Sequence, residues 1–203
     1  MLFRQLFDRE TCTYSYLLAD EDTREAVLID PVFEQVERDM NLLEELNLKL
    51  VAVIETHVHA DHITGGGELR ARTGAKFCVS VRGGVEGADV SLDDGDLIRF
   101  GQHALEARST PGHTNTCISY YVPTARMIFT GDTLLVRGCG RTSSSTTAGG
   151  HRRLADRRVT SPRCSTTPGR AREQNQTSRR DAKAARRRDG RPQSPGAGGG
   201  RGA

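Results

Sequence analysis

The residues best suited to chemistry in this sequence are three imidazoles and a carboxylate that lie close together. Segment 56–62 reads THVHADH and contains His57, His59, Asp61 and His62. Imidazole is a common ligand for zinc and iron, and carboxylates complete such sites. Because the ligands share one loop, less chain entropy is lost when a site assembles. The spacing therefore predicts a metal site that includes this loop.

Two later segments each offer one more ligand of the same kinds. The segment STPGHT, residues 109–114, presents His113, and the segment FTGDT, residues 129–133, presents Asp132. Either segment alone is a weak signal, because a single His or Asp in a loop is most often just solvated. Together with THVHADH, and in this order, they are a specific signal for metal binding.

The residues before each of these loops predict strands that would position the ligands. Residues 48–54, LKLVAVI, form a continuous apolar run, which predicts a strand buried on both faces. Apolar residues at helical spacing after Pro31, and the segment ITGGGELRART, predict two helices. Further strands are predicted at residues 12–19, 26–29, 76–80, 96–100, 104–109, 117–122 and 126–129. This pattern predicts an α/β fold with its functional groups on loops at one edge of the sheet.

Charge and composition divide the chain after Thr142. Residues 143–203 hold 14 Arg and one Lys against four acids, so the formal charge of +3 for the whole chain leaves −8 on residues 1–142. All ten Phe and Tyr also lie in residues 1–142. The composition predicts a domain over residues 1–142 and a disordered basic tail over residues 143–203. The tail has no interleaved aromatic residues that would stack on bases, so specific nucleic-acid binding is not expected.

Other classes of protein are disfavoured by what the sequence lacks. No stretch approaches the roughly 18 apolar residues of a membrane-spanning helix, and no signal-like apolar run follows the N-terminus, so we expect a cytoplasmic protein. The five cysteines include no CxxC pair, and a cysteine-type zinc site is therefore not indicated.

The motifs HVHADH, TPGHT and FTGDT resemble those of the metallo-β-lactamase superfamily. This resemblance implies a four-layer αββα sandwich with metals at one end of two sheets. Within the superfamily, the stretches THVHADHITGGGELRARTG and FTGDTLLVRGCGRT are most similar to the persulfide dioxygenases, also called sulfur dioxygenases or ETHE-type proteins. The resemblance covers residues 10–142. It implies oxygen-dependent oxidation of glutathione persulfide to sulfite and glutathione, in hydrogen sulfide catabolism.

The resemblance also implies roles for individual residues. One ferrous iron per chain would be held by His57, His113 and Asp132, leaving coordination positions open for the persulfide sulfur and O2. The other ligand-type residues of the first loop would then lie outside the iron coordination or be vestigial: His59, Asp61 and His62. Imidazole and carboxylate accept zinc as well as iron, so the sequence alone leaves the metal open.

Arg141, in the motif RGCGRT, lies where the family places an arginine near the active site. Its guanidinium could steady an anionic substrate or orient loops, and the alternative is an ordinary surface arginine. The identity of glutathione as the thiol carrier rests on the resemblance. A homodimer is possible, and the sequence does not decide the oligomeric state.

The alternative activity is that of the related hydroxyacylglutathione hydrolases, the glyoxalase II type, which use two metals, commonly zinc. Their pattern would assign the first metal to His57, His59 and His113. It would assign the second metal to Asp61 and His62, with Asp132 bridging the two ions. That site needs another histidine further along the chain. The sequence offers only His151, in AGGHRRLA, which lacks the expected strand-end context, so the one-metal interpretation is favoured.

The resemblance stops within a motif. Family members continue after GCGRT with Asp-Phe and the second half of the sandwich, whereas this chain continues SSSTTAGGHRRLA. Our hypothesis is a frameshift near codon 142 in the source DNA, which would leave the metallo-β-lactamase-like domain incomplete at its C-terminal end. A third interpretation of the chain follows, namely a poorly folded, inactive fragment.

Overall fold

The computed structural model describes residues 1–142, which form two β-sheets and two α-helices. The predicted disordered tail at residues 143–203, the frameshift hypothesis and His151 all lie outside the described residues. The helices are α1, Val36–Glu45, and α2, Gly66–Thr73. Neither helix in residues 1–142 has the length and apolar content needed to cross a membrane.

The first sheet has six strands, which lie side by side in chain order. The first three strands pair antiparallel, and the third to the sixth pair parallel, with helices between them. The strands are β1, Leu2–Phe7; β2, Tyr14–Ala19; β3, Glu25–Ile29; β4, Lys49–Ile54; β5, Lys76–Ser80; and β6, Val90–Leu92.

The second sheet is an antiparallel meander of four strands, in which each strand pairs with the next along the chain. The strands are β7, Leu97–Phe100; β8, His103–Ser109; β9, Ile118–Val122; and β10, Met127–Phe129.

The eight predicted strands and two predicted helices are found, but two strands were missed. Strand β1 lies at the edge of the first sheet, where the exposed Arg4 and Gln5 interrupt its apolar pattern. Strand β6 has only three residues, too few for an alternating pattern to be recognised. Both strands are fixed by pairing with a neighbour, which a local pattern does not reveal.

Strand β4 is buried on both faces, as its apolar run predicts. On one face, Ala52 and Ile54 belong to the core between the two sheets. On the other face, Leu50 and Val53 pack in a second core that includes residues of both helices. Each fully buried Val, Leu or Ile contributes about 1.5–3 kcal/mol to stability. Residues 1–142 therefore form three layers, with helices, the first sheet and the second sheet in that order.

The two sheets are fastened together at the edge opposite the predicted ligand loops. The buried carboxylate of Asp20, in the turn after β2, accepts hydrogen bonds from the backbone N–H groups of Asp22, Thr23 and Gln102 at 2.6–3.1 Å. Gln102 lies in the turn between β7 and β8, so this carboxylate joins the two sheets. These N–H donors stabilise the ionised form and lower the pKa of Asp20 to about 2.

Candidate metal centre

The loop after β4 is tied to β3 and to the second sheet through one residue, the buried Thr56. Its backbone N–H donates to Asp30 Oδ1 at 2.6 Å, and its hydroxyl donates to Asp30 Oδ2 at 2.8 Å. Its carbonyl accepts a hydrogen bond from the N–H of Ile118, at the start of β9, at 2.8 Å. The first ligand loop therefore begins where β3, β4 and β9 meet.

The same threonine sets the orientation of the His57 ring. The Thr56 hydroxyl lies 3.0 Å from His57 Nδ1, and because it donates its own proton to Asp30, it accepts a proton from Nδ1. His57 Nε2 is then left with a free lone pair. Burial lowers the pKa of His57 to about 4, which keeps the ring neutral near pH 7. Neutral imidazole is the form that binds metal ions.

The turn after β8 presents His113 in the same way. His113 Nδ1 lies 2.8 Å from the backbone carbonyl oxygen of Arg141 and donates its proton there. His113 Nε2 lies 3.6 Å from Asp132 Oδ2. A histidine that binds a metal usually donates its other N–H to a carbonyl or carboxylate, which fixes the tautomer. Both candidate histidines therefore offer Nε2 to the space between them.

Asp132 lies in a short 3-10 turn directly after β10, Gly131–Thr133. Its backbone carbonyl accepts a hydrogen bond from the N–H of Gly140 at 2.8 Å. Gly131 has a φ of +46°, and a Cβ at this position would lie 2.3 Å from the Thr56 hydroxyl oxygen. Only glycine lets the Asp132 loop approach the His57 loop this closely.

The structure brings the three predicted iron ligands together. The potential ligand atoms of His57, His113 and Asp132 all lie within 4.8 Å of one another. Two atoms that each lie about 2.1 Å from one ion are roughly 3–4 Å apart, so the separation between His113 and Asp132 fits a shared metal. Two imidazoles and one carboxylate suit Fe²⁺ or Zn²⁺ and leave coordination positions open.

The other three predicted residues form a second group, and His59 belongs to it rather than to the first. The ligand atoms of His59, Asp61 and His62 also lie within 4.8 Å of one another. His59 Nε2 lies 3.2 Å from Asp30 Oδ1 and 3.4 Å from Glu55 Oε2. Burial lowers the pKa of His59, but the neighbouring carboxylates outweigh this effect and raise it to about 12. These contacts place His59 Nε2 beside two carboxylates rather than beside His113 and Asp132.

Sequence reasoning missed Asp30, Glu55 and Thr56. Asp30 directly follows β3, and a polar residue at the end of a buried strand beside the ligand loop was a signal that could have identified it. Glu55 is buried behind the loop, where it accepts a hydrogen bond from the Thr64 hydroxyl, and burial raises the pKa of Glu55 to about 7. No local pattern distinguishes that buried carboxylate from a solvated one.

Arg141 reaches the site through its backbone. Its carbonyl oxygen accepts a hydrogen bond from the His113 ring. The residue is exposed, and its guanidinium makes no hydrogen bond or ion pair within residues 1–142. The neighbouring Gly140 packs so closely that a Cβ there would lie 2.4 Å from the Asp132 carbonyl oxygen and 3.0 Å from the His113 ring. Segment 138–141 thus contacts and positions two of the three candidate ligands, His113 and Asp132.

Comparison with known proteins agrees with this fold. A family model described as the metallo-beta-lactamase superfamily matches residues 11–196. The chain belongs to the metallo-beta-lactamase superfamily. The predicted metallo-β-lactamase fold is therefore confirmed, and the ligand groups in residues 1–142 agree with the metal binding that the family implies.

Among its relatives, the chain is 52% identical to the persulfide dioxygenase ETHE1, mitochondrial, of Mus musculus over 143 residues, 70% of this chain and 56% of the mouse protein. It is similar to the crystal structure of ETHE1 from Myxococcus xanthus, with a TM-score of 0.67 and 52% identity over 74% of this chain and 64% of that one. A hydroxyacylglutathione hydrolase of Gloeobacter violaceus is 39% identical over 131 residues, 63% of this chain and 51% of the hydrolase. The chain spans about half the length of these curated relatives.

Proposed function

We propose that this protein is an iron-dependent persulfide dioxygenase that oxidises glutathione persulfide. The observation that carries the proposal is that the potential ligand atoms of His57, His113 and Asp132 lie within 4.8 Å of one another, whereas His59 Nε2 lies beside the carboxylates of Asp30 and Glu55. Because the two-metal assignment needs His59 on the first metal, this arrangement supports one metal over two. The identity of 52% to a persulfide dioxygenase, against 39% to a hydroxyacylglutathione hydrolase, supports the same choice.

His57, His113 and Asp132, here called the triad, each have a distinct role in this proposal. When bound, a ferrous ion would bring O2 and the terminal persulfide sulfur together and support electron transfer between them. The Thr56 hydroxyl and the Arg141 carbonyl hold the Nδ1 protons of His57 and His113, so that both Nε2 atoms remain available. Asp132 contributes the negative charge that favours a divalent cation.

The overall reaction balances with one water. Glutathione persulfide, O2 and water give glutathione, sulfite and two protons. The terminal sulfur loses four electrons, and O2 gains them, so no further reductant is required. The sulfur–sulfur bond breaks, and the inner sulfur leaves as the glutathione thiol.

The finer assignments belong to the proposal as well. The exposed guanidinium of Arg141 would attract the carboxylates of glutathione. The cytoplasmic location, the possible homodimer, the absence of a membrane or specific nucleic-acid partner, and the domain boundary after Thr142 remain predictions.

Anaerobic reconstitution with ferrous iron tests the proposal. The full chain should take up oxygen when glutathione persulfide is added, and sulfite should accumulate. His113→Ala should abolish both signals. The matched control is His103→Ala, which changes a histidine at the start of β8, at the opposite edge of the sheet. Oxygen uptake that survives in His113→Ala would contradict the proposed site.

The second candidate function is a dinuclear thioester hydrolase. It is favoured by one observation, the clustering of His59, Asp61 and His62 beside the triad. This alternative predicts two metals, commonly zinc, per chain and hydrolysis of a hydroxyacylglutathione thioester without oxygen uptake. The third interpretation, an inactive fragment, predicts a metal-free protein that binds the dye ANS and does not melt cooperatively.

A further inference from the structure

A cavity of about 270 Å³ lies beside His57, on the side of His59 and His62. His113, Asp132 and Arg141 are not among its lining residues. Most of its wall is hydrocarbon, contributed by the following side chains: Val58, Ile63, Phe77, Val79 and Val85. Metal binding by the triad and attraction of glutathione by Arg141 do not require this cavity.

The polar groups in the wall largely satisfy one another. The Thr64 hydroxyl donates to Glu55 and accepts from the N–H of Gly66, and the Ser80 hydroxyl accepts from the N–H of Arg82. Among buried side-chain atoms of the wall within residues 1–142, those without a hydrogen bond are His62 Nε2 and Glu55 Oε2. A peptide-like ligand would therefore find few partners here and would meet the buried Glu55.

We propose that this cavity binds dioxygen and leads it from solvent to the His57 side of the metal site. The inference rests on the proposed dioxygenase function. Oxygen is small and apolar, so it gains free energy by leaving water for a hydrocarbon-lined space. An engineered cavity of about 150 Å³ lined by apolar side chains in another protein binds xenon, which can therefore serve as a probe for binding of an apolar gas.

The cavity reaches both the solvent and the candidate metal site. Val58 and Ile63 are 45% and 66% exposed and line the cavity, so they form a mouth open to solvent. His57, a candidate metal ligand, forms part of the inner wall. Arg141, proposed to attract the charged substrate, lies outside the cavity. The two substrates therefore approach the metal site from different sides.

Narrowing the cavity at one wall position tests the route. In Val85→Phe, the apparent KM for O2 should rise at least threefold, while the KM for glutathione persulfide stays unchanged. Val85→Leu, a milder change that keeps folding secure, should raise the KM for O2 in the same direction by less. The control is Val81→Phe, a neighbouring exposed position that does not line the cavity and should leave both constants unchanged. An unchanged KM for O2 in both Val85 variants would overturn the proposal.

Xenon binding to the metal-free full chain is independent of turnover. Under xenon pressure, the methyl NMR signals of Val58, Ile63 and Val85 should shift, and the Val81 signals should not. Absence of these shifts would overturn the cavity as a site for apolar gases. If xenon binds but the wild-type protein takes up no oxygen with persulfide, the dioxygenase proposal fails, and dioxygen fails with it as the occupant.

Discussion

Thr56→Val is the substitution that tests most directly how the site is held together. Valine keeps the shape of a side chain that is only 1% exposed but removes its hydroxyl. The hydroxyl donates to the Asp30 carboxylate at 2.8 Å and accepts from His57 Nδ1 at 3.0 Å. The backbone hydrogen bond from Thr56 to Asp30 remains, so the loop keeps one of its attachments.

The magnitude follows from these contacts. A hydrogen bond to a charged group contributes about 1.5–3 kcal/mol, and a buried N–H left unpaired costs about 1–3 kcal/mol. Together these two effects should lower the free energy of unfolding of the metal-free protein by roughly 2.5–6 kcal/mol. Loss of a hydrogen bond that orients a ligating histidine typically weakens metal binding by about 10–100-fold, or about 1.4–2.7 kcal/mol.

Two measurements check the Thr56 prediction. Urea unfolding of the metal-free protein gives the change in stability, and competition with a chromophoric chelator gives the metal Kd. Thr56→Ser, which keeps the hydroxyl, should bind metal within a fewfold of wild type. A wild-type Kd in Thr56→Val would refute the argument that this hydroxyl orients His57.

Three other predictions follow from neighbouring features. Gly131→Ala would place a Cβ 2.3 Å from the Thr56 hydroxyl oxygen at positive φ, and it should lower the free energy of unfolding, measured with urea, by about 1–3 kcal/mol. Gly67→Ala, in helix α2, would place a Cβ with no other atom of residues 1–142 within 4 Å, and it should instead stabilise the protein by about 0.5–1 kcal/mol. Folding lowers the pKa of Asp20 to about 2. The ionised carboxylate therefore stabilises the fold fully above the unfolded pKa of about 4, and this stabilisation is lost as pH falls towards 2. The urea midpoint should drop more between pH 5 and pH 3 in wild type than in Asp20→Asn. Adding metal at about 100 times its Kd should stabilise the protein by about 2.7 kcal/mol, and a chelator should reverse this shift in thermal melts.

The sequence predicted much of the scaffold because local patterns determine it. The apolar run of β4 predicts a strand buried on both faces, and the structure confirms this. Strands β1 and β6 were missed because pairing, rather than pattern, defines them. The ligand loops were recognised because imidazole and carboxylate clusters at strand ends are chemically distinctive.

The internal arrangement of the site required three-dimensional information. A one-metal and a two-metal site use overlapping residues in this sequence. Spacing alone does not show which side chains the His59 ring contacts. The structure shows His59 Nε2 between Asp30 and Glu55, which are 29 and 4 residues away along the chain. The hydrogen bond from His113 Nδ1 to the Arg141 carbonyl was also not predicted. Every residue has a backbone carbonyl, so the residue type does not show which one accepts a hydrogen bond.

The most direct test of the central claim is the metal content of the full chain after anaerobic loading with ferrous iron and removal of unbound metal. If His57, His113 and Asp132 hold a single ion, wild type and His62→Ala should each retain about one iron per chain, and His113→Ala should retain almost none. Two metals per wild-type chain, one of them lost in His62→Ala, would contradict the one-metal site and favour the dinuclear hydrolase.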